Sequence, residues 1–243
     1  MGHFGIGNRL ERVEDDRFLT GQGRYLDDIV FENTVHVVFL RSTVAHAKIK
    51  NINIDMALKI PGVLSVYTSA DLEEDGVSSL PTLAHEWIDL FQADGSPSFN
   101  PDRPLLSKDK VRYVGEAVVM VIAETEDIAK DAAEKIEIDY DIYDAVVDTE
   151  VAHDPAQPQL FDITDNNTSF LYRTGNPGVV ENIFENADHI VTRKLVNNRV
   201  IVNPLEARGA VGQYNVKDSR YVLHCDTQHP WDVRKQTATC LGI

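Results

Sequence analysis

Cysteine is scarce in this 243-residue chain: Cys225 and Cys240 are the only two, and neither lies in a CxxC pair. Two scattered thiols exclude a disulfide framework and an iron–sulfur cluster held by four thiolates, so both are expected as small core residues. Basic residues are also in the minority, 23 against 39 acidic, for a formal net charge of −16. A surface of that sign repels phosphate backbones and anionic bilayers, so neither nucleic acid nor membrane is expected as a partner; the acidic excess serves solubility. No apolar run nears the roughly 18 residues of a membrane span, and the start, MGHFGIGNRLERVEDD, turns charged within a few residues. No signal peptide is expected, and the expected location is cytoplasmic.

Local catalytic signatures are missing as well. There is no GxxxxGK[ST], GxSxG or HExxH. The glycines at 2, 5 and 7 and the Gly21-Gln22-Gly23 triplet follow no strand and complete no dinucleotide fingerprint. His224, Cys225 and His229 lie close together but lack a second ligand pair at zinc spacing, so they are expected as structural residues and no metal site is assigned.

What is present reads as a folded protein, 43% hydrophobic and 26% charged, with room for one large or two ordinary domains at roughly 150 residues each. Val35–Leu40, a mixed stretch around residues 48–54, and Val63–Tyr67 read as strands; a short helix at Met56–Lys59 is stopped by Pro61-Gly62. Residues 73–104 are rich in Asp, Ser, Pro and Gly, with aromatics at Trp87 and Phe91, and are expected to be functional or to cover another surface. Val118–Ala123 reads as a buried strand. Thr125 then caps a helix whose Ile128, Ala129, Ala132 and Ala133 share one face and whose Glu126–Lys130 and Asp131–Lys135 pairs share the other. Ile136, Ile138 and Tyr140 alternate with acidic residues as a half-buried strand, which makes a βαβ-like unit.

The two prolines of His153–Gln159 mark a domain boundary. Beyond it come a short helix at Val179–Ala187, an extended stretch at Ile190–Val202, and a hairpin of Ala210–Tyr214 with Tyr221–Cys225. A last helix opens at Pro230 and reaches Ile243 with no finishing signal beyond Gly242, so the chain reads as cut off there.

Seven segments, in order, resemble the large subunit of the xanthine dehydrogenase/aldehyde oxidase (molybdenum hydroxylase) family. Arg12-Val13-Glu14-Asp15 with Thr20-Gly21 and Tyr25-Leu26-Asp27-Asp28 is similar to the family's opening, and Arg41–Ala47 (RSTVAHA) to its RSxxAHA. Pro61-Gly62-Val63 with Asp71-Leu72, and Val111–Glu116 (VRYVGE), follow. Asn203–Gly209 (NPLEARG) resembles NPxEPRG, and Thr227–Pro230 (TQHP) resembles TQxP.

The resemblance implies an α+β chain: an N-terminal segment 1–19, an α/β hammerhead domain 20–148, a linker 149–160, and the beginning of a molybdopterin-binding domain 161–243. It implies part of an oxidoreductase that hydroxylates an aldehyde or N-heterocycle, or oxidises carbon monoxide. The glycine-rich cofactor loop and the general-base glutamate of the family have no match here, so no residue is assigned as catalytic and the isolated chain is expected to be inactive, with no cofactor of its own. Implied partners are the rest of the molybdenum-binding subunit and the FAD-binding and 2Fe-2S subunits, with a homodimer of the complete complex allowed for.

Asn198, Arg199 and Gln228 carry over as cofactor-binding candidates. Asn198 stands where many relatives have a glutamine that contacts an oxo ligand of the molybdenum; it is one methylene shorter, and an ordinary surface or turn role is the alternative. Gln228 could instead cap the last helix. Glu206 and Arg208 are expected as an ion pair that organises a loop, and His46 as a packed residue with one or two hydrogen bonds. Ala117 and Ala207 replace prolines usual in the family. Two rival readings remain: a free-standing interaction module on the hammerhead scaffold, and a degenerate remnant. Exposed apolar surface along 190–243 would favour the subunit reading over the module.

Overall fold

The computed structural model describes residues 11–82, 90–92, 94–101 and 103–243. Trp87, one of the two aromatics expected in the long polar stretch, lies outside them. The described residues divide into two compact units, one within 34–193 with 230–243, the other within 11–33 with 194–229. Each unit gathers segments that lie far apart in the chain.

The larger unit is built on two three-stranded antiparallel sheets. In the first, β5 (Ala117–Ala123) lies between β1 (His36–Arg41) and β3 (Val63–Tyr67); in the second, β2 (Ala47–Asn53) lies between β4 (Lys110–Val111) and β6 (Glu137–Ile142). The β-branched AVVMVIA run of β5 suits an extended backbone with both faces covered. Val118, Val119, Val121 and Ala123 are fully buried. Against β1 and β5 packs α3 (Glu126–Ala133), and the methyl side chains of Ala129 and Ala132 bring that helix close to the sheet. The Thr125 hydroxyl oxygen accepts the Ile128 N–H at 3.3 Å, and Lys130 pairs with Glu126 at 2.6 Å, both as expected. Asp131 and Lys135 form no ion pair, since the helix stops at Ala133 and Lys135 is no longer one turn above Asp131.

The βαβ-like reading of this stretch needs correction. β5 and β6 belong to different sheets, and each pairs only antiparallel with its neighbours. The helix between them passes the chain from one sheet to the other. The difference is written in the strands: β5 is apolar on both faces, whereas β6 alternates and keeps one face wet. Antiparallel sheets with a segregated helix are the expected α+β class.

Local turns account for several motif residues. The Val63 N–H donates to the Ile60 carbonyl at 3.1 Å across Pro61-Gly62, with Gly62 at φ +89°, the pattern of a type II turn. RSTVAHA and VRYVGE interlock: Ser42 N–H donates to the Glu116 carbonyl and Gly115 N–H to the Ser42 carbonyl, both at 2.8 Å. Arg41 Nη1 donates to the Gly115 carbonyl at 2.9 Å, and the Glu116 carboxylate accepts the Arg112 N–H at 2.5 Å. His46 is buried, with Nδ1 3.0 Å from the Asp144 carbonyl and its ring edge-on to Tyr143, the packed residue that was expected.

Helix α2 (Ser69–Glu74), capped by Thr68 and Asp71, leads into the long polar stretch, whose later part lies along residues 168–171. Phe99 N–H donates to the Ser169 carbonyl and Leu171 N–H to the Phe91 carbonyl, each at 2.8 Å. Helix α4 (Pro177–Glu185) is capped by Asn176. Helix α5 (Pro230–Leu241) begins at Pro230 as expected. At its far end Gly242, at φ +67°, donates to the Thr239 carbonyl while Ile243 N–H donates to the Ala238 carbonyl at 3.0 Å. That is a complete Schellman closure, so Gly242 is a fuller stop signal than its sequence position suggested. Cys240 is buried on this helix, whereas Cys225 is only half-buried.

The smaller unit holds α1 (Asp15–Leu19), a 3-10 turn at Leu26–Asp28, and the hairpin β7 (Ala210–Asn215) with β8 (Arg220–Cys225). The hairpin register runs from Ala210↔Cys225 to Asn215↔Arg220. Residues 194–204 have no regular backbone pairing and are exposed throughout.

Candidate functional site

The smaller unit contains an open groove of about 1710 Å³. Three of the motifs meet there: Glu14 and Leu26 from the opening, Asn203–Gly209, and Thr227-Gln228. The contact that joins the first two is specific. Leu26 N–H donates to Glu206 Oε1 at 3.0 Å, and Gly209 faces Leu26 so closely that a Cβ there would stand 2.7 Å from Leu26 Cδ2. A side chain at 209 would have to push the end of the Leu26 side chain aside. Tyr25 N–H donates to Asp28 Oδ2 at 2.9 Å, closing the 3-10 turn that presents Leu26.

This arrangement corrects the expected Glu206–Arg208 ion pair. The Glu206 carboxylate faces the Leu26 amide instead, and Arg208 is exposed without an ion pair among the described residues. Neighbours two apart on an extended chain share a face, but the Glu206 carboxylate is committed to a charge-assisted hydrogen bond from the Leu26 amide.

The cofactor-binding candidates separate. Gln228 lies on the groove wall, exposed, beside Thr227, whose hydroxyl oxygen accepts the His229 N–H at 3.0 Å. Asn198 and Arg199 lie on the exposed, unpaired stretch that precedes the groove-lining residues Val200–Val202. His224 stacks at a tilt on Phe31, centroids 4.9 Å apart, and its Nε2 is 3.2 Å from Gln213 Oε1. No cluster of three His, Cys, Asp or Glu able to hold a metal occurs among the described residues, and the His224, Cys225, His229 run forms none.

A molybdopterin group needs enclosing polar contacts; this groove mixes polar and charged residues, among them Arg24, Asn203, Arg208, Asp226 and Gln228, with apolar ones, but it does not enclose a ligand. Its mouth is open, and the segment carrying Asn198 and Arg199 is exposed, without helix or strand. The residues present do not by themselves make a cradle for the group, and no chemical step is derived through it.

Sequence reasoning missed the Leu26–Glu206 clamp, although both motifs were visible, because nothing in either indicates its partner. It also missed Asp162, which pairs with buried Lys110 at 2.7 Å across 52 positions.

With this geometry in place, the chain belongs to the aldehyde oxidase and xanthine dehydrogenase family. The model of that family's a/b hammerhead domain matches residues 20–144, and the model of the molybdopterin cofactor-binding domain matches residues 160–243. Among curated relatives it is 35% identical over 240 residues to the nicotine 6-hydroxylase large subunit of Paenarthrobacter nicotinovorans, covering 98% of this chain and 28% of that protein. It is 30% identical to the carbon monoxide dehydrogenase large chain of Hydrogenophaga pseudoflava, covering 98% and 29%. Among solved structures, quinoline 2-oxidoreductase from Pseudomonas putida 86 superposes with a TM-score of 0.82 at 33% identity, over 98% of this chain and 29% of that one. The chain thus corresponds to under a third of the length of these relatives. It is similar to a portion of a molybdopterin-dependent oxidoreductase large subunit, and no helix among its described residues is long and apolar enough to cross a membrane.

Proposed function

We propose that this chain supplies the hammerhead domain (20–148), a linker (149–160) and the beginning of the molybdopterin-binding domain (161–243) of a molybdenum hydroxylase large subunit. The complete assembly would hydroxylate an aldehyde or N-heterocycle, or oxidise carbon monoxide, in the cytoplasm. FAD-binding and 2Fe-2S subunits would carry its electrons away, and Asn198, Arg199 and Gln228 would approach the cofactor only once further polypeptide orders the stretch they stand on or beside.

One observation carries this reading: six exposed large apolar side chains along the smaller unit's extended stretch, interrupted only by Asn197–Arg199 and Asn203-Pro204. Leu195, Ile201 and Leu205 are each about 90% exposed, beside Val196, Val200 and Val202. An apolar stretch of this length without backbone pairing is costly in water and marks a surface to be covered. A self-sufficient interaction module would instead present a closed, polar finish here.

The test is co-expression of the chain with the reading frame immediately downstream, followed by purification and metal analysis. A co-purifying complex with stoichiometric molybdenum is expected, and Leu195→Glu with Ile201→Glu abolishes the complex while leaving the isolated chain's melting unchanged. Molybdenum held tightly by the isolated chain, or a complex indifferent to both substitutions, contradicts the proposal.

A further inference from the structure

We propose that Lys110 and Arg112 form a latch that clamps residues 160–162 onto the hammerhead, so that the join between the two matched regions is a fixed strap and not a free tether. The latch belongs to the larger unit alone and stands whether or not the assembly reading holds.

The strap is a stretch without helix or strand. Asn167 gathers it into a knot: its Oδ1 accepts the Leu160 N–H at 2.9 Å while its Nδ2 donates to the carbonyls of Pro158 at 2.9 Å and Ala152 at 3.1 Å. The knot is internal to the loop and does not hold it to anything else. Attachment comes from the VRYVGE strand and the lysine before it. Lys110 Nζ donates to both Asp162 oxygens, at 2.7 and 2.9 Å, and Arg112 Nε donates to the Leu160 carbonyl at 3.1 Å. The Arg112 guanidinium lies over the Phe161 ring at 4.5 Å, and that ring packs edge-on against Phe99. Three successive strap residues are thus gripped by two side chains, and Arg112 Nη1 also donates to the Lys110 backbone carbonyl at 3.2 Å.

The asymmetry of the ion pair makes the grip a device. The Lys110 side chain is only 10% exposed, whereas that of Asp162 is 80% exposed. Asp162 loses little by leaving; Lys110 would be left with a buried charge facing the Tyr143 ring, 5.8 Å away. A buried cation without a counter-charge is strongly disfavoured, so the hammerhead itself favours the closed strap. The Arg112 stack adds planar geometry that lysine cannot reproduce. A loop of this composition without such anchors would behave as a flexible linker.

The test leaves the strap's own sequence untouched. Lys110→Met fills the buried site with an apolar chain of similar length, and Arg112→Lys keeps the charge while removing the stack and the Nε bond. Chymotrypsin cleavage after Phe161 reports the open strap, since cleavage of a fast-opening segment tracks its open population. In each variant we expect that cleavage to be about tenfold faster, with the thermal midpoint of the unit kept within a few degrees. Cleavage at the parental rate in both variants overturns the latch. Should Lys110→Met lose its melting transition, Arg112→Lys decides between the same two outcomes.

Discussion

Replacing Gly62 by alanine tests whether the Pro-Gly-Val motif serves the fold. Gly62 sits at φ +89°, and a Cβ built there would stand 2.7 Å from Ile128 Cδ1, on the face of α3 that packs on the hammerhead core. Two costs add. A side chain in the left-handed region costs about 1–2 kcal/mol. Forcing Ile128 out of a packed position costs about 1–3 kcal/mol more. The expected loss is about 2–5 kcal/mol, which in a unit of this size lowers the melting midpoint by roughly 4–20 °C. Urea unfolding of the parent, Gly62→Ala, Ile128→Val and the double variant separates the two terms, because Val lacks the offending Cδ1. The double variant should recover about 1 kcal/mol or more relative to additivity, while the backbone term persists. A Gly62→Ala loss below about 0.5 kcal/mol, or a cycle with no coupling to Ile128, would refute the steric account.

Glu206→Ala removes the acceptor of the Leu26 amide and should speed exchange of that amide about tenfold, whereas Arg208→Ala, which breaks no ion pair, should shift it by less than about twofold. Equal effects of the two would restore the Glu206–Arg208 pair. Val121→Ala opens a void in the fully buried centre of β5 and should cost about 2–3 kcal/mol by urea unfolding; a cost under 1 kcal/mol would place Val121 outside the core. The Thr68 hydroxyl, then the Thr68 amide, hold the Asp71 carboxyl below its ordinary 3.8. A carboxylate lowered on folding contributes stability that is present above the unfolded value and lost as pH falls through the folded one. Titration of Asp71 by NMR should therefore give a midpoint below 3.8 that rises in Thr68→Ala, and an unchanged midpoint would remove the capping box as its cause.

Much of the larger unit was legible in the residues. β-Branched runs announced β1, β3 and β5, Thr125 announced the start of α3, and Pro230 that of α5, because each signal acts within a few positions of the backbone it shapes. The site was less legible. Gln228 was identified as a candidate and does line the groove, but Asn198 and Arg199 stand on a stretch whose conformation no local signal sets.

What the sequence determined by itself is what short-range sterics and periodicity decide: which residues extend, which coil, where a glycine must turn, and, through seven ordered motifs, the family. Tertiary structure alone decided which strands became neighbours, sending β5 and β6 to different sheets, and which partners polar groups chose, giving Glu206 to Leu26 and Lys110 to Asp162. Those choices depend on what the rest of the chain brings within hydrogen-bonding distance, and with partners 52 to 180 positions away they have no local trace to read.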